Sequence, residues 1–182
     1  MEFGNKTFVL GITGVIGSGK SELCRFLAER YGFIWIEADK IVHELYKVGR
    51  PGYEVIRKKF GEYAIGAKEV NRKWLREFVL KDPRKIPARI RTLNRLIHSL
   101  VAAEMNKKIV QLKAQHKSKT PLLICIEAVY FKKKNLGKFV DKIITVDAPD
   151  KEILRRLRNI KVPQHEIKRL IDFQRGSSKV CG

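Results

Sequence analysis

The chain has 182 residues, of which 44% are hydrophobic, so it is long enough for one packed domain with a small inserted subdomain. No apolar run approaches the roughly 20 residues that a membrane span requires, and the N-terminus lacks the pattern of a secretory signal. These features exclude a membrane-spanning or exported class. We therefore expect a soluble cytoplasmic protein.

Basic residues dominate the charge, because 39 lysines and arginines stand against 19 aspartates and glutamates, giving a formal net charge of +20. The excess is uneven, since residues 81–120 hold eleven basic and two acidic side chains. The positive electrostatic field of such a protein attracts polyanions. Phosphorylated small molecules and nucleic acid are therefore both candidate partners. A solvated lysine-rich surface without a partner is the alternative.

The first apolar segment, FVLGIT, is followed at once by GVIGSGKSE, which fits the pattern G-x-x-x-x-G-K-[ST]. In that pattern, backbone N–H groups and the start of the next helix surround phosphates, and the lysine reaches the outer phosphates. The serine hydroxyl is a partner for Mg²⁺. A flexible Gly/Ser turn is the alternative. We predict a nucleoside triphosphate site formed by Gly14, Val15, Ile16, Gly17, Ser18, Gly19, Lys20, Ser21 and Glu22.

Short apolar segments alternate with helical patterns along the chain, which predicts an α/β fold with a parallel sheet covered by helices on both faces. Residues 39–120 read as helices throughout and therefore as a helical insertion beside the sheet. Two basic helical patterns, 150–161 and 163–175, precede a short polar tail. The predicted strands are 7–13, 33–38, 121–128 and 142–148.

Acidic residues follow three of the four predicted strands, in the segments IEADK, IEAVYF and VDAPD. Ligands of open α/β sheets bind outside the carboxyl ends of the strands. Carboxylates placed there are suited to Mg²⁺ binding and to activation of a hydroxyl group near a transferred phosphate.

Three cysteines, Cys24, Cys125 and Cys181, cannot all pair within one chain. Two of them lie in apolar helix or strand patterns. Free thiols in a reducing cytoplasm are therefore expected, rather than a disulfide framework or a metal site.

From about residue 8 to residue 174 the sequence resembles the dephospho-CoA kinases, which phosphorylate the ribose 3′-hydroxyl of dephospho-CoA with ATP. The resemblance rests on GITGVIGSGKSELCRFLAE, IEADKIVHEL, VGRPGYEVIRKKFG, VNRKWLREFVLKDP, LNRLIHSLV and FVDKIITVDAPDKEILRRL. It implies a P-loop NTPase fold, a three-layer α/β/α kinase domain with a parallel sheet. In that fold the core is 7–38 and 121–182, the acceptor-binding helical insertion is 39–120, and a lid covers approximately 151–170.

The resemblance also implies two catalytic residues, Lys20 on the phosphate loop and Asp39 on the acceptor side. Asp39 would orient the attacking hydroxyl and accept its proton, although a helix N-cap is the alternative from the residues alone. Arg72 and His98 would bind dephospho-CoA, whereas their alternatives are a solvated charge and an ordinary helix histidine. The usual His-Pro pair of the family is His98–Ser99 here. Glu37, where the family often has aspartate, is assigned only a supporting role near the metal.

On the nucleotide side, Arg156 and Arg158 match the lid, whose closure brings guanidinium groups onto the ATP phosphates. Surface charge is their alternative. Glu127 departs from the commonest family pattern, yet a carboxylate at a buried strand end beside the loop could hold a Mg²⁺-bound water, in the outer shell of the metal that Ser21 would bind. ATP and Mg²⁺ are thus the implied cofactors.

Family members usually continue beyond the DFQ position with a further strand and helix, whereas this chain has only RGSSKVCG. We therefore expect an exposed sheet edge at the fourth strand, which a partner chain could cover, in a monomer or weak homo-oligomer. Two other functions remain open, namely another small-molecule kinase acting on a nucleoside or nucleotide, and a nucleic-acid-binding NTPase. The net charge favours the latter, but we find no RNA-recognition signature.

Overall fold

The computed structural model describes residues 6–131, 136–159 and 163–178. The chain forms two compact units. The first consists of the described parts of Met1–Glu37 and Lys108–Gly182, and the second is Ala38–Lys107.

Four strands and seven α-helices lie in the described residues. The strands are β1 (Thr7–Thr13), β2 (Ile34–Glu37), β3 (Leu122–Glu127) and β4 (Lys142–Thr145). The helices are α1 (Lys20–Tyr31), α2 (Ala38–Leu45), α3 (Pro51–Phe60), α4 (Arg72–Leu80), α5 (Ile86–Gln115), α6 (Asp150–Arg156) and α7 (Gln164–Ser178).

All strand pairs of the described sheet are parallel, in the order β2-β3-β1-β4. The two central strands, β1 and β3, are mostly buried, as continuous apolar runs predict for strands covered on both faces. The predicted α/β fold and all four strands are confirmed. β4 forms one edge of this sheet, and its Ile143 and Ile144 are 45% and 42% exposed.

Helix α1 packs against the sheet through a buried cluster of Leu10, Ile12, Cys24 and Cys125. Both cysteines are buried free thiols, which confirms the prediction for these two, while Cys181 lies outside the described residues. The hydrogen bond with Cys125 and burial together raise the pKa of the Cys24 thiol well above its ordinary value. The thiols therefore belong to the packed core.

Helices α6 and α7 pack on the segment that follows β1. Their shared apolar cluster consists of Val15, Ile153, Leu157, Ile167 and Ile171. Helix α6 ends at Arg156, earlier than predicted, and a turn follows it. Helix α7 continues to Ser178 and so includes the start of the short polar tail, beyond the predicted helical pattern that ends at residue 175. The rest of that tail, 179–182, lies outside the described residues.

The second unit is helical, but not throughout, so that prediction is wrong in detail. Two isolated antiparallel bridges, Lys47↔Glu69 and Ile65↔Val70, join the segments between its helices. Gly61 ends α3 with a φ of 76°, which breaks the helical path there. The unit's largest fully buried side chains include Leu45, Ile56, Val70 and Met105. None of the described helices is long and apolar enough to cross a membrane.

Candidate active site

The loop between β1 and α1 depends on glycine at two places. Gly14 has a φ of 145°, and a Cβ added there would lie 2.1 Å from the Val146 carbonyl oxygen. Gly19 caps α1 with a φ of 108°, in the left-handed region. Since neither position tolerates a side chain, the loop backbone stays open to a ligand at the start of α1.

Lys20 lies against this loop rather than in solvent. Its side chain is buried, and its Nζ donates a hydrogen bond to the Val15 carbonyl oxygen at 2.9 Å. The Ser18 N–H donates to the same oxygen at 3.2 Å. The lysine ammonium therefore already lies at the loop, where it can donate to a phosphate oxygen while it keeps the carbonyl as a partner.

Ser18 also indicates that the loop binds an anion. The residue is 3% exposed, and its buried Oγ has no hydrogen-bond partner in the part of the chain that the structure describes. A buried hydroxyl without a partner is costly, by about 1–3 kcal/mol. A bound phosphate oxygen would satisfy it, so the loop is suited to an anion.

Ser21 and Glu127 meet at the end of β3. The Ser21 hydroxyl donates to Glu127 Oε1 at 2.8 Å, and the buried Glu127 Oε2 has no hydrogen-bond partner within residues 6–131, 136–159 and 163–178. In the sheet register Glu127 lies opposite Glu37, the last residue of β2. The sequence prediction paired Ser21 with Glu127, and the structure brings these two together.

This donor set fits Mg²⁺. A hydroxyl and a carboxylate are oxygen ligands of the kind that Mg²⁺ prefers, and Glu127 Oε2 has no hydrogen-bond partner among the described residues. Among residues 6–131, 136–159 and 163–178, no group of three or more His, Cys, Asp or Glu side chains could hold a metal. Mg²⁺ commonly binds through one or two protein groups and completes its octahedron with water and phosphate oxygens.

Arg156 reaches the loop from α6. Its Nη1 donates to the Gly17 carbonyl oxygen at 3.0 Å, and its Nε donates to Glu152 Oε1 at 2.9 Å. Arg155 holds the same Glu152 with two hydrogen bonds. The hydrogen bonds from Arg155, then Arg156, lower the pKa of Glu152 to about 2. A fixed carboxylate thus orients the arginine that contacts the loop.

The two other nucleotide-side predictions, Arg158 and Glu22, have different surroundings. Arg158 lies in the exposed turn after α6, and no ion pair involves its guanidinium in the part of the chain that the structure describes. Glu22 lies in the first turn of α1, where its carboxylate pairs with Arg25 at 2.9 Å. Neither side chain has a hydrogen bond to the loop among those found in the described residues.

Sequence reasoning missed two side chains that hold the loop region. Gln174, on α7, accepts a hydrogen bond from the Ile16 backbone N–H at 2.8 Å. Thr13 donates through Oγ1 to the Val129 carbonyl oxygen at 2.6 Å, linking the ends of β1 and β3. The contact between Ile16 and Gln174 joins residues 158 positions apart in the chain, so no local sequence pattern predicts it.

The predicted acceptor residues belong to the second unit. Asp39 is exposed in the first turn of α2, which begins one residue earlier at Ala38, so Asp39 is inside the helix rather than preceding it as an N-cap. His98 is half-buried on α5. Arg72, the first residue of α4, is exposed, and its surroundings give it two partners.

Arg72 Nη1 lies 2.7 Å from His43 Nε2, and Nη2 donates to Glu69 Oε1 at 3.4 Å. His43 was not singled out by the sequence analysis. Burial raises the pKa of the nearby Tyr46 to about 12, although the charge of Arg72 opposes the shift. These contacts fix the arginine fork at the start of α4.

Comparison with known proteins gives one consistent result. A family model described as dephospho-CoA kinase matches residues 8–179. The dephospho-CoA kinase of Hydrogenovibrio crunogenus is 32% identical over 167 residues, which cover 91% of this chain and 80% of that protein. The dephospho-CoA kinase of Coxiella burnetii is 31% identical over 151 residues, covering 82% and 70%.

Solved structures agree on the fold. TT1252 from Thermus thermophilus superposes with a TM-score of 0.68 at 20% identity, covering 97% of this chain and 86% of that one. The dephospho-CoA kinase from Campylobacter jejuni gives a TM-score of 0.54 at 20% identity, covering 93% and 81%.

Proposed function

Because the chain belongs to the dephospho-CoA kinase family, we propose that it transfers the γ-phosphoryl group of ATP to the ribose 3′-hydroxyl of dephospho-CoA, giving coenzyme A and ADP. The family match over residues 8–179 is the observation that carries this proposal. The loop with its buried lysine and its unsatisfied serine supports the nucleotide half of the reaction.

In this proposal the loop binds the ATP phosphates. The Lys20 ammonium keeps the Val15 carbonyl oxygen and donates to a phosphate oxygen with another of its three N–H groups, and the Ser18 hydroxyl gains the acceptor that it lacks among the described residues. Arg156, now on the Gly17 carbonyl, adds a second cation from α6. Two positive groups next to the transferred phosphate neutralise the charge that its oxygens carry in the transition state.

Ser21 and Glu127 are the residues that would hold Mg²⁺. When bound, Mg²⁺ supplies charge neutralisation on the outer phosphates of ATP. The Ser21 hydroxyl, now a donor to Glu127 Oε1, can present its lone pairs to a cation after a rotation about its Cβ–Oγ bond.

The acceptor side is assigned by residue-by-residue resemblance. Asp39 accepts the proton of the 3′-hydroxyl while the new oxygen–phosphorus bond forms and the bond to the ADP oxygen breaks. Arg72 and His98 bind the anionic acceptor, and the Arg72 fork is suited to a phosphate group. Phosphoryl transfer has a loose transition state, so alignment of the nucleophile is the main task of these residues.

In this proposal the protein works in the cytoplasm. It is a monomer or weak homo-oligomer and acts on a small-molecule acceptor. The unpaired, buried thiols of Cys24 and Cys125 support a reducing compartment.

The test is a choice among acceptors. Dephospho-CoA, adenosine, AMP, uridine and shikimate are each offered with ATP and Mg²⁺, and ADP formation is measured. We expect dephospho-CoA to react fastest, with coenzyme A identified by mass. Faster phosphorylation of a nucleoside would reject the acceptor while keeping a kinase, and steeply salt-dependent binding of nucleic acid without any transfer would favour the nucleic-acid-binding NTPase.

A further inference from the structure

The peptide group between Val15 and Ile16 is held from both sides. Its N–H, on Ile16, donates to Gln174 Oε1 at 2.8 Å. Its C=O, on Val15, accepts from Lys20 Nζ at 2.9 Å and from the Ser18 N–H at 3.2 Å. The described backbone contains no cis peptide, and a trans peptide points its N–H and C=O in opposite directions within one plane. Fixing the N–H therefore fixes the direction of the carbonyl that holds the lysine.

Gln174 is well placed to fix that plane, because its own position is set by packing. The side chain is 7% exposed. The next residue, Arg175, bonds to Asp150, to Asp147 and to the Ala148 carbonyl oxygen, which ties α7 to the segment after β4. The apolar cluster of α6, α7 and the loop includes Val15 itself. A buried acceptor on an anchored helix loses little freedom on holding its partner.

We propose that Gln174 is a positioning residue that orients the Lys20 ammonium through the Val15–Ile16 peptide. Without the Gln174 oxygen the partly buried Ile16 N–H loses its acceptor, and the peptide plane can turn to find another. The Val15 carbonyl turns with it, and Lys20 loses its 2.9 Å hydrogen bond to that oxygen, which sets the direction of the ammonium. Gln174 itself touches no reacting group in this scheme.

The inference rests on the proposed function only in requiring that the loop binds the phosphates of ATP. ATP affinity is therefore measured by calorimetry without any acceptor, so that a wrong acceptor assignment does not affect the result. Three variants separate the roles of the side chain. Gln174→Met keeps the length and loses the acceptor, Gln174→Asn keeps the amide but is too short to reach, and Gln174→Glu keeps an oxygen at the same place.

We expect ATP affinity to fall about fivefold to tenfold in Gln174→Met and Gln174→Asn, the range for losing one buried hydrogen bond. Gln174→Glu should stay within about threefold of the parent, since its carboxyl oxygen can still accept the Ile16 N–H. Ile56→Val, which removes one methyl group from the fully buried core of the second unit, is the control for a general loss of stability. It should leave ATP affinity unchanged.

A double-mutant cycle with Lys20→Met identifies the route of the effect. If Gln174 acts through the lysine, Gln174→Met should change ATP affinity less than about twofold when Lys20 is already gone. The same fold loss in both backgrounds would show that Gln174 acts on the loop in another way and would overturn the inference. Equal affinity of Gln174→Met, Gln174→Asn and the parent would overturn it as well. A parent protein that does not bind ATP at all would reject both this inference and the proposed function.

Discussion

Replacing Glu127 by glutamine should move stability and metal binding in opposite directions. In the folded protein one carboxylate oxygen accepts from Ser21 Oγ at 2.8 Å, and the other is buried with no hydrogen-bond partner among the residues described. A buried carboxylate oxygen without a hydrogen-bond partner destabilises the folded protein. A neutral amide of nearly the same shape keeps the first contact and removes the negative charge.

The expected gain follows from the cost of an unsatisfied buried polar group, which is about 1–3 kcal/mol and larger for a charged one. Because the new amide nitrogen also lacks an acceptor, we take the lower part of that range, about 1 kcal/mol. For a chain of this size that corresponds to a rise in Tm of about 2–4 °C, measured by thermal unfolding without Mg²⁺. Affinity for ATP without Mg²⁺ should change little.

With Mg²⁺ present, we expect Glu127→Gln to be the weaker of the two proteins in ATP binding and phosphoryl transfer. Loss of the carboxylate removes the anionic ligand of the proposed site, and we expect the Mg²⁺-dependent part of ATP binding and of phosphoryl transfer to fall at least ~10-fold. Glu37→Gln, at the neighbouring strand end in register with Glu127, is the matched control and should have a smaller effect on Mg²⁺ dependence. A variant that is less stable without Mg²⁺ and retains full Mg²⁺ dependence would refute the reasoning.

Three further predictions concern other residues. Lys20→Ala removes the cation bonded to the Val15 carbonyl, so ATP affinity should fall steeply while staying measurable at high ATP concentration, and transfer should be lost; full kinase activity would exclude the loop as the phosphate site. Asp39→Asn should keep ATP binding but lower transfer by at least ~10²-fold, measured as single-turnover product formation, whereas an unchanged rate would make Asp39 a structural residue. The third concerns acid, because Arg155 and then Arg156 lower the pKa of Glu152 to about 2, below the ordinary value near 4.3. Since the folded pKa is depressed, this stabilisation is present above pH ~4.3 and is lost as pH falls towards 2, and Glu152→Gln should flatten the acid-unfolding curve over that interval while surface screening keeps the effect at pH 7 small.

The sheet and the phosphate loop could be predicted because each is encoded by local composition. β1 and β3 are continuous apolar runs, and this is the pattern of strands covered on both faces. In the loop, Gly14 and Gly19 stand where the backbone has a positive φ. A positive φ narrows the choice of residue almost to glycine, so the requirement is visible in the sequence.

The ends of two helices, α3 and α7, were less predictable than the sheet and the loop. Gly61, with its positive φ, ends α3, and the bridge between Ile65 and Val70 follows. Gly176, the first residue after the helical pattern 163–175, is not among the positive-φ glycines, and α7 continues through it. Glycine permits a helix end without imposing one, and packing along the helix decides which occurs.

The contacts that complete the loop have a common reason for escaping prediction. Lys20, Arg156 and Gln174 each bind a backbone atom of the segment 15–17, two of them a carbonyl oxygen and the third an N–H. Backbone groups are the same at every position, so no residue type in the loop marks which distant side chain it will meet. The resemblance to the family could select Arg156 but gave no geometric reason for it. That reason is the Gly17 carbonyl, and only the packing of α6 and α7 on Val15 brings the arginine and the glutamine to their partners.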